Sequence, residues 1–283
     1  MRIKVATHSG FCFGVKRAIN IVDSALKNSR YKENIYSLGP IIHNPQVVNS
    51  LSKKGIYVIG DIDAIEKGTL IISSHGAPQK IIRKIRRKKM KLIDATCPFV
   101  KYAHDIIKRL KGEGYKIVVV GDKDHPEVKA LLSTVGNVDL HRRDLKSKKV
   151  AIISQTTQNR DNYIKGILDI LKTDFNEVRI FNTICNDTTK RQTLTSELLK
   201  ECDVMVVVGG KNSANTKRLH QICKESKVTS YHIERESELK DRFFSGKKCA
   251  GVVSGASTPD DTVKKVVERI KELTKKSNER GVF

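Results

Sequence analysis

The chain has 283 residues, more than one hydrophobic core ordinarily spans, so two or three small domains are expected. A hydrophobic fraction of 39% in short regular runs describes a soluble globular protein, and no apolar stretch reaches the length that crosses a bilayer. The 54 Lys and Arg against 31 Asp and Glu give a formal charge of +23 and call for an acidic partner, while 5% aromatics and no Trp leave little material for stacking nucleic-acid bases.

The opening MRIKVATHSGFC carries charge without a continuous apolar core. It is not read as a signal peptide, and the expected compartment is the cytoplasm, where thiols stay reduced. The first strand is IKVAT (3–7), followed by helical periodicity in VKRAINIVDSALKN (15–28). Strands IYSLG (35–39) and TLIISS (69–74) come next, then the basic run RKIRRKKMK (83–91) and a helix in VKYAHDIIKRLKGEG (100–114). Strand KIVVVG (116–121), a second basic run HRRDLKSKK (141–149) and strand VAIIS (150–154) fill the middle. Strands VMVVVGG (204–210) and AGVVSG (250–255) and a helix in DTVKKVVERIKELTKK (261–276) close the chain. This alternation predicts an α/β protein with largely parallel sheets. The basic runs read as solvated faces.

The loops beyond the strands are the informative part. IYSLGPIIHNP, TLIISSHGAP, KIVVVGDKDHPEV, VAIISQTTQ, VMVVVGGKNSANT and AGVVSGASTPD share one design: an apolar strand, small residues, a His or hydroxyl side chain, then a helix. Ligands of α/β sheets sit beyond the carboxyl ends of the strands, where helix N-termini offer free N–H groups to anions. Any single Ser, Thr, Asn or Asp there is equally a helix cap. Six such ends, three of them with His, point to a phosphate-bearing ligand. No Walker-type phosphate loop and no G-x-G-x-x-G fingerprint is present.

The six cysteines show no C-x-x-C spacing. Cys202, Cys223 and Cys249 lie in or beside strands and a helix and read as buried thiols. Cys12 in GFCFG, Cys97 in DATCP and Cys185 in NTICND lie in loops, at intervals of 85 (12 to 97) and 88 (97 to 185) residues. A similar order of helix, strand, polar loop and helix comes after each, so three α/β units are expected, each contributing one cysteine to a shared centre. Three such thiolates suit zinc or an iron–sulfur cluster; a four-iron cluster on three ligands keeps one iron open for substrate. A zinc hydrolase and a nucleic-acid binder built on the charge remain as alternatives at this level.

The ordered set GFCFGV, HNPQVV, SSHG, DATCP, GDKDHPEV, QTT, GGKNSANT and SGASTPD resembles the 4-hydroxy-3-methylbut-2-enyl diphosphate reductase family, IspH or LytB, from the first strand to about residue 270. The resemblance implies three similar α/β domains in a pseudo-threefold trefoil around a central iron–sulfur cluster, placed here at residues 1–97, 98–185 and 186–283. It implies one [4Fe–4S] cluster per chain on Cys12, Cys97 and Cys185. It implies two-electron reduction of a small allylic diphosphate to isopentenyl and dimethylallyl diphosphate, the last step of the non-mevalonate route. His43, His75 and His125 match the histidines of the diphosphate pocket, and Ser213, Asn215 and Ser257 its other phosphate-binding residues. Glu127 matches the proton donor and Thr156 the hydroxyl residue beside it.

One departure stands out. Where the family loop often reads Ser-Ser-Asn, this chain has Ser213, Ala214, Asn215, which removes one hydroxyl and implies at most an altered affinity. In HPEV an extended segment would point His125 and Glu127 the same way. His8, His104, His141, His220 and His232 read as surface or satisfied core residues. The chain has no second cysteine cluster and no flavin fingerprint to receive electrons, so a small acidic carrier such as ferredoxin or flavodoxin is the expected donor, steered by the basic surface. Neither a membrane nor a nucleic acid is expected as partner.

Overall fold

The computed structural model describes residues 1–28, 34–135 and 148–279; His141 and residues 141–147 of the second basic run lie outside them. In chain order the strands are β1 (Arg2–Val5), β2 (Ile35–Leu38), β3 (Ile56–Ile59), β4 (Thr69–Ile72), β5 (Lys91–Asp94), β6 (Lys116–Val120), β7 (Lys149–Ser154), β8 (Glu177–Phe181), β9 (Val204–Val208), β10 (Thr229–Ile233) and β11 (Cys249–Ser254). The helices are α1 (Phe13–Lys27), α2 (Pro45–Lys53), α3 (Gln79–Arg87), α4 (Pro98–Gly112), α5 (Pro126–Val135), α6 (Arg160–Leu171), α7 (Asn186–Leu198), α8 (Ala214–Glu225) and α9 (Asp260–Glu279). None of them is long and apolar enough to cross a membrane.

Among the described residues three parallel sheets result, ordered β3-β2-β4-β5, β6-β7-β8 and β10-β9-β11-β1. Each has a helix-covered centre, and the side-chain alternation of the inner strands explains how. Val204, Val206 and Val208 of β9 face Val263, Val266 and Ile270 of α9, while Met205 and Val207 between them face Leu219 and Cys223 of α8. In the sheet of β6 and β7, Ile117, Val119, Ala151 and Ile153 pack on Ile107 and Leu110 of α4 and Leu131 of α5. Val118, Val120, Val150 and Ile152 point the other way, onto Tyr163 and Ile170 of α6. A strand covered on both faces must be apolar at every position, which is why these strands are unbroken Val and Ile runs. Each such side chain, fully buried, contributes about 1.5–3 kcal/mol.

The three sheets repeat one plan. A pair of adjacent strands (β2 and β4, β6 and β7, β9 and β11) is flanked, beside the second member, by an edge strand that leads into a cysteine: β5, β8 and β1 respectively. In the last sheet that edge strand comes from the opposite end of the chain. Contiguous boundaries at 97 and 185 therefore misplace residues 1–12: β1 pairs with β11, not with the strands of residues 35–94. By compactness the chain divides into two units. The first is Met1–Cys12, His43–Pro45 and Asn186–Phe283, holding the third sheet; the second is Phe13–Ile42 and Gln46–Cys185, holding the other two.

Candidate functional site

Each of the three loop cysteines immediately precedes a helix: Cys12 before α1, Cys97 before α4, where it is the N-cap, and Cys185 before α7. Each is half-buried and free of a disulfide. Their backbone anchors correspond as well. The N–H of Cys12 donates to Ala256 O (3.0 Å), that of Cys97 to Ser74 O (3.0 Å) and that of Cys185 to Thr156 O (2.9 Å). Each acceptor lies two residues beyond the inner strand that the cysteine's own edge strand pairs with: β11, β4 and β7. A thiolate at a helix N-terminus is favoured by the partial positive charge there, so all three positions suit deprotonated, ligating sulfur. The remaining three are different. Cys202, Cys223 and Cys249 are buried in the core, and burial pushes the thiols of Cys202 and Cys223 up to about 12. These two are inert as ligands.

A second correspondence runs through the first strand of each of those pairs. Gly39, Gly121 and Gly209 directly follow β2, β6 and β9. Four residues after each glycine stand His43, His125 and Ser213, and two residues further Pro45, Glu127 and Asn215. The proposed ligand-binding side chains thus occupy one place in a repeated strand–loop–helix unit.

In the first unit, Ser213 caps α8 by accepting the N–H of Thr216 (3.3 Å), which leaves its hydroxyl hydrogen available to a ligand. Asn215, in the first turn, is 3% exposed, and neither its Nδ2 nor its Oδ1 has a protein partner. Such a group costs free energy to bury, so its retention marks a place for something polar. The loop before it packs tightly on the His43 segment: a Cβ on Gly210 would come within 2.5 Å of His43 O. Ser257 Oγ donates to His43 O (3.1 Å), and Asn44 Nδ2 donates to Ser257 O (2.9 Å), so His43, Ser257 and the α8 loop form one cluster. Burial, then the nearby Lys217 ammonium, holds the His43 imidazole below its ordinary pKa, so it is neutral and an uncharged donor. Lys217 is a cation that the sequence motifs did not single out.

In the second unit, His75 and His125 meet edge to face, ring centroids 5.3 Å apart at 87°. The segment HPEV is not extended. Pro126 opens α5, and Glu127 in its first turn donates its N–H to His125 Nδ1 (3.2 Å). With Nδ1 accepting, the proton of the neutral His125 ring sits on Nε2, where it can be given to a ligand. The Glu127 side chain turns inward instead of lying beside His125, and it is 1% exposed. Oε1 accepts the backbone N–H of Thr156 (2.7 Å) and Oε2 bonds Thr156 Oγ1 (2.7 Å). Burial outweighs both bonds and pushes the carboxyl up to about 7. Of the two consecutive threonines, Thr156 is the one at Glu127; Thr157 accepts from Gln155 Nε2 (2.7 Å).

The histidines read as structural behave so where they are described. His8 bonds Asp187 (2.6 Å), His104 bonds Thr134 Oγ1 (2.8 Å) with burial lowering its pKa to about 4, and His232 bonds Gly209 O (2.9 Å) beside His220.

Among known proteins, the model of the family described as LytB protein matches residues 3–271. A relative from Syntrophotalea carbinolica is 44% identical over 97% of this chain and its own full length, and one from Aquifex aeolicus is 43% identical over 96% of each; both are named 4-hydroxy-3-methylbut-2-enyl diphosphate reductase. Of solved structures, (E)-4-hydroxy-3-methyl-but-2-enyl diphosphate reductase, described as the terminal enzyme of the non-mevalonate pathway, aligns with a TM-score of 0.70 at 42% identity, covering 96% of this chain and 100% of its own. The Plasmodium falciparum reductase aligns with a TM-score of 0.85 at 27% identity, covering 94% and 87%. With three equivalent cysteine corners, a buried carboxyl poised near neutrality and a family match spanning nearly every residue, this chain belongs to the LytB family.

Proposed function

We propose that the chain removes the hydroxyl of (E)-4-hydroxy-3-methylbut-2-enyl diphosphate reductively, giving isopentenyl and dimethylallyl diphosphate as the last step of the non-mevalonate isoprenoid route. Two electrons and two protons turn the C–OH into C–H and water. The observation that carries this reading is the Glu127–Thr156 pair: a buried acid near neutral pKa whose threonine partner also receives the N–H of Cys185. The relatives' shared name supports the same substrate.

The donor chemistry fits a [4Fe–4S] cluster. Cys12, Cys97 and Cys185 are three soft ligands at helix N-termini, and a fourth thiolate is missing from the set. When bound, the cluster supplies an electron reservoir and, at the iron without a thiolate, a Lewis acid for the leaving hydroxyl. The trefoil of three α/β domains about that centre, one cluster per chain, belongs to this proposal.

The chain's own residues do the rest. His43, His75, His125, Ser213, Asn215 and Ser257 offer hydrogen-bond donors suited to a diphosphate, so it can be held without a further metal. Glu127 acts as general acid: Oε1 is occupied by the Thr156 N–H, and Thr156 Oγ1, which donates to Oε2, relays the carboxyl's proton by turning to give its own hydrogen to the departing oxygen while accepting one from Oε2. Electrons come from a small acidic carrier of the ferredoxin or flavodoxin type in the cytoplasm; neither membrane nor nucleic acid takes part.

Iron and acid-labile sulfide, measured on anaerobically purified protein and its Cys97→Ser variant, test the centre. About four of each per chain, lost in the variant, is the expected result. Zinc, or no metal after reconstitution, would overturn it.

A further inference from the structure

Arg191 is the one charged side chain of the first unit that lies fully buried among its described residues, and none of the sequence motifs contains it. It lies on α7, its side chain 2% exposed, in a helix that buries Thr188 and Thr195 rather than an apolar stripe. Its guanidinium spans three fixed acceptors. Nε donates to Asp187 Oδ2 (2.7 Å), Nη1 to Ser254 O (2.9 Å) and Nη2 to Gly10 O (2.8 Å). The two carbonyls are the two sides of the Cys12 corner. Gly10 is two residues before Cys12, and Ser254 is two residues before Ala256, whose carbonyl receives the Cys12 N–H. Gly10 N–H closes the square by donating to Ser254 Oγ (3.0 Å).

The other two corners carry braces within their own loops, and at the Cys97 corner Arg17 Nη1 also donates to Thr96 O (3.1 Å), a single bond where Arg191 makes three. Cys97 lies three residues past β5, and Thr96 N–H donates to Asp94 Oδ1 (2.9 Å). Cys185 lies four past β8, and Ile184 N–H donates to Asn182 Oδ1 (3.1 Å). Each is a local side-chain turn of the kind Asp and Asn form. Cys12 lies seven residues past β1, with Gly10 at φ +80°, a longer path through a left-handed turn. A loop of that length needs a brace from outside itself. An arginine is suited to a carboxylate and two divergent carbonyls at once, because its five donors are spread over a rigid fork, whereas the three donors of a lysine leave one nitrogen.

We infer that Arg191, neutralised by Asp187, is a positioning residue for Cys12: it staples Gly10 to Ser254 and so fixes where the Cys12 sulfur is presented. The inference rests on the proposed cluster for its purpose but not for its test. His8, on the other oxygen of Asp187, completes the support.

Amide hydrogen exchange, read by mass spectrometry on the full chain without metal, compares peptides containing Cys12, Cys97 and Cys185 in the parent, Arg191→Met and Arg191→Lys. Charge-assisted bonds each shift an opening equilibrium by about a decade or more, so exchange at residues 9–12 is expected to rise at least roughly tenfold in both variants. The Cys97 and Cys185 peptides keep the parent's protection. After anaerobic reconstitution, chelator-driven iron release quickens in both variants. Three results overturn the staple: no change at residues 9–12, an equal rise at all three corners, as general destabilisation gives, or full protection in Arg191→Lys, which means charge alone suffices. Failure of the cluster reading is separate, since it shows as absence of iron in the parent.

Discussion

At Glu127 two influences oppose each other. Loss of water favours the neutral acid, the two donors of Thr156 favour the carboxylate, and the carboxyl settles at about 7 against 4.5 when unburied. The folded state therefore holds the proton more tightly than the unfolded one. Its stabilising contribution is complete below about pH 4.5 and is lost as pH rises through about 7. A difference of this size corresponds to roughly 3 kcal/mol. Glu127→Gln keeps the shape, with its oxygen accepting the Thr156 N–H and its amide donating to Oγ1, but never ionises. Urea unfolding of the metal-free variant is expected to show a flatter loss of stability between pH 5 and 8 than the parent, while its turnover falls about 10²–10⁴-fold. A variant that tracks the parent's pH profile would mean Glu127 is already ionised in the folded state. Thr156→Val removes one bond that favours the carboxylate, so the alkaline limb of its pH–rate profile moves upward; a downward move would contradict the assigned hydrogen bond.

At the scale of single elements, strands written as apolar runs are legible in the sequence, and partly solvated edge strands, β1 excepted, are not. IYSLG, TLIISS, KIVVVG, VAIIS, VMVVVGG and AGVVSG all sit in sheet centres or are covered by helices, and their apolar runs match β2, β4, β6, β7, β9 and β11 to within a residue or two. Four strands lack such a signal: β3, β5, β8 and β10, each at a sheet edge with several exposed or half-buried positions. An edge strand is partly solvated, so KLID and EVRIF carry charge where an inner strand carries Val. Helix α7 is hidden for the opposite reason: it buries polar side chains, including Arg191, and shows no apolar stripe. The start of α8 is legible because its cap is written in the loop, GGKNSANT. There Asn215 makes function and stability separable. Its amide is buried without a protein partner, so Asn215→Leu, nearly the same shape, should leave the melting temperature of the metal-free protein unchanged or higher. The same change should raise KM for the diphosphate about tenfold or more by deleting bonds to a charged ligand. A lower melting temperature with unaltered KM would make Asn215 a structural residue.

Over the whole molecule, the threefold plan is visible in the sequence only faintly, as cysteine spacing and a recurring order of elements, because the third sheet is closed by the chain's first strand. A contiguous scan cannot pair residues 2–5 with 249–252, so the repeat looks faint in sequence although each cysteine corner is built alike. The distribution of charge is also a property of the whole. A net +23, with the run 83–91 lying on α3 and in the segment leading into β5, is what remains when every carboxylate is set against a base, so no set of ion pairs can neutralise it. Most of those pairs are solvent-exposed and add little stability, so the excess cannot be justified by folding. It raises the encounter rate with an acidic protein and lowers that with a cation. Reduction by an acidic flavodoxin should slow roughly tenfold between about 0.05 and 0.5 M salt, as screening shortens the reach of the field. A dicationic viologen carries electrons of similar energy with the opposite charge, and its rate should hold steady or rise over the same range. If both donors respond alike, salt is acting on the chain's fold or on substrate binding. If neither responds, the basic surface does not steer the carrier, and its partner has to be sought among other acidic molecules.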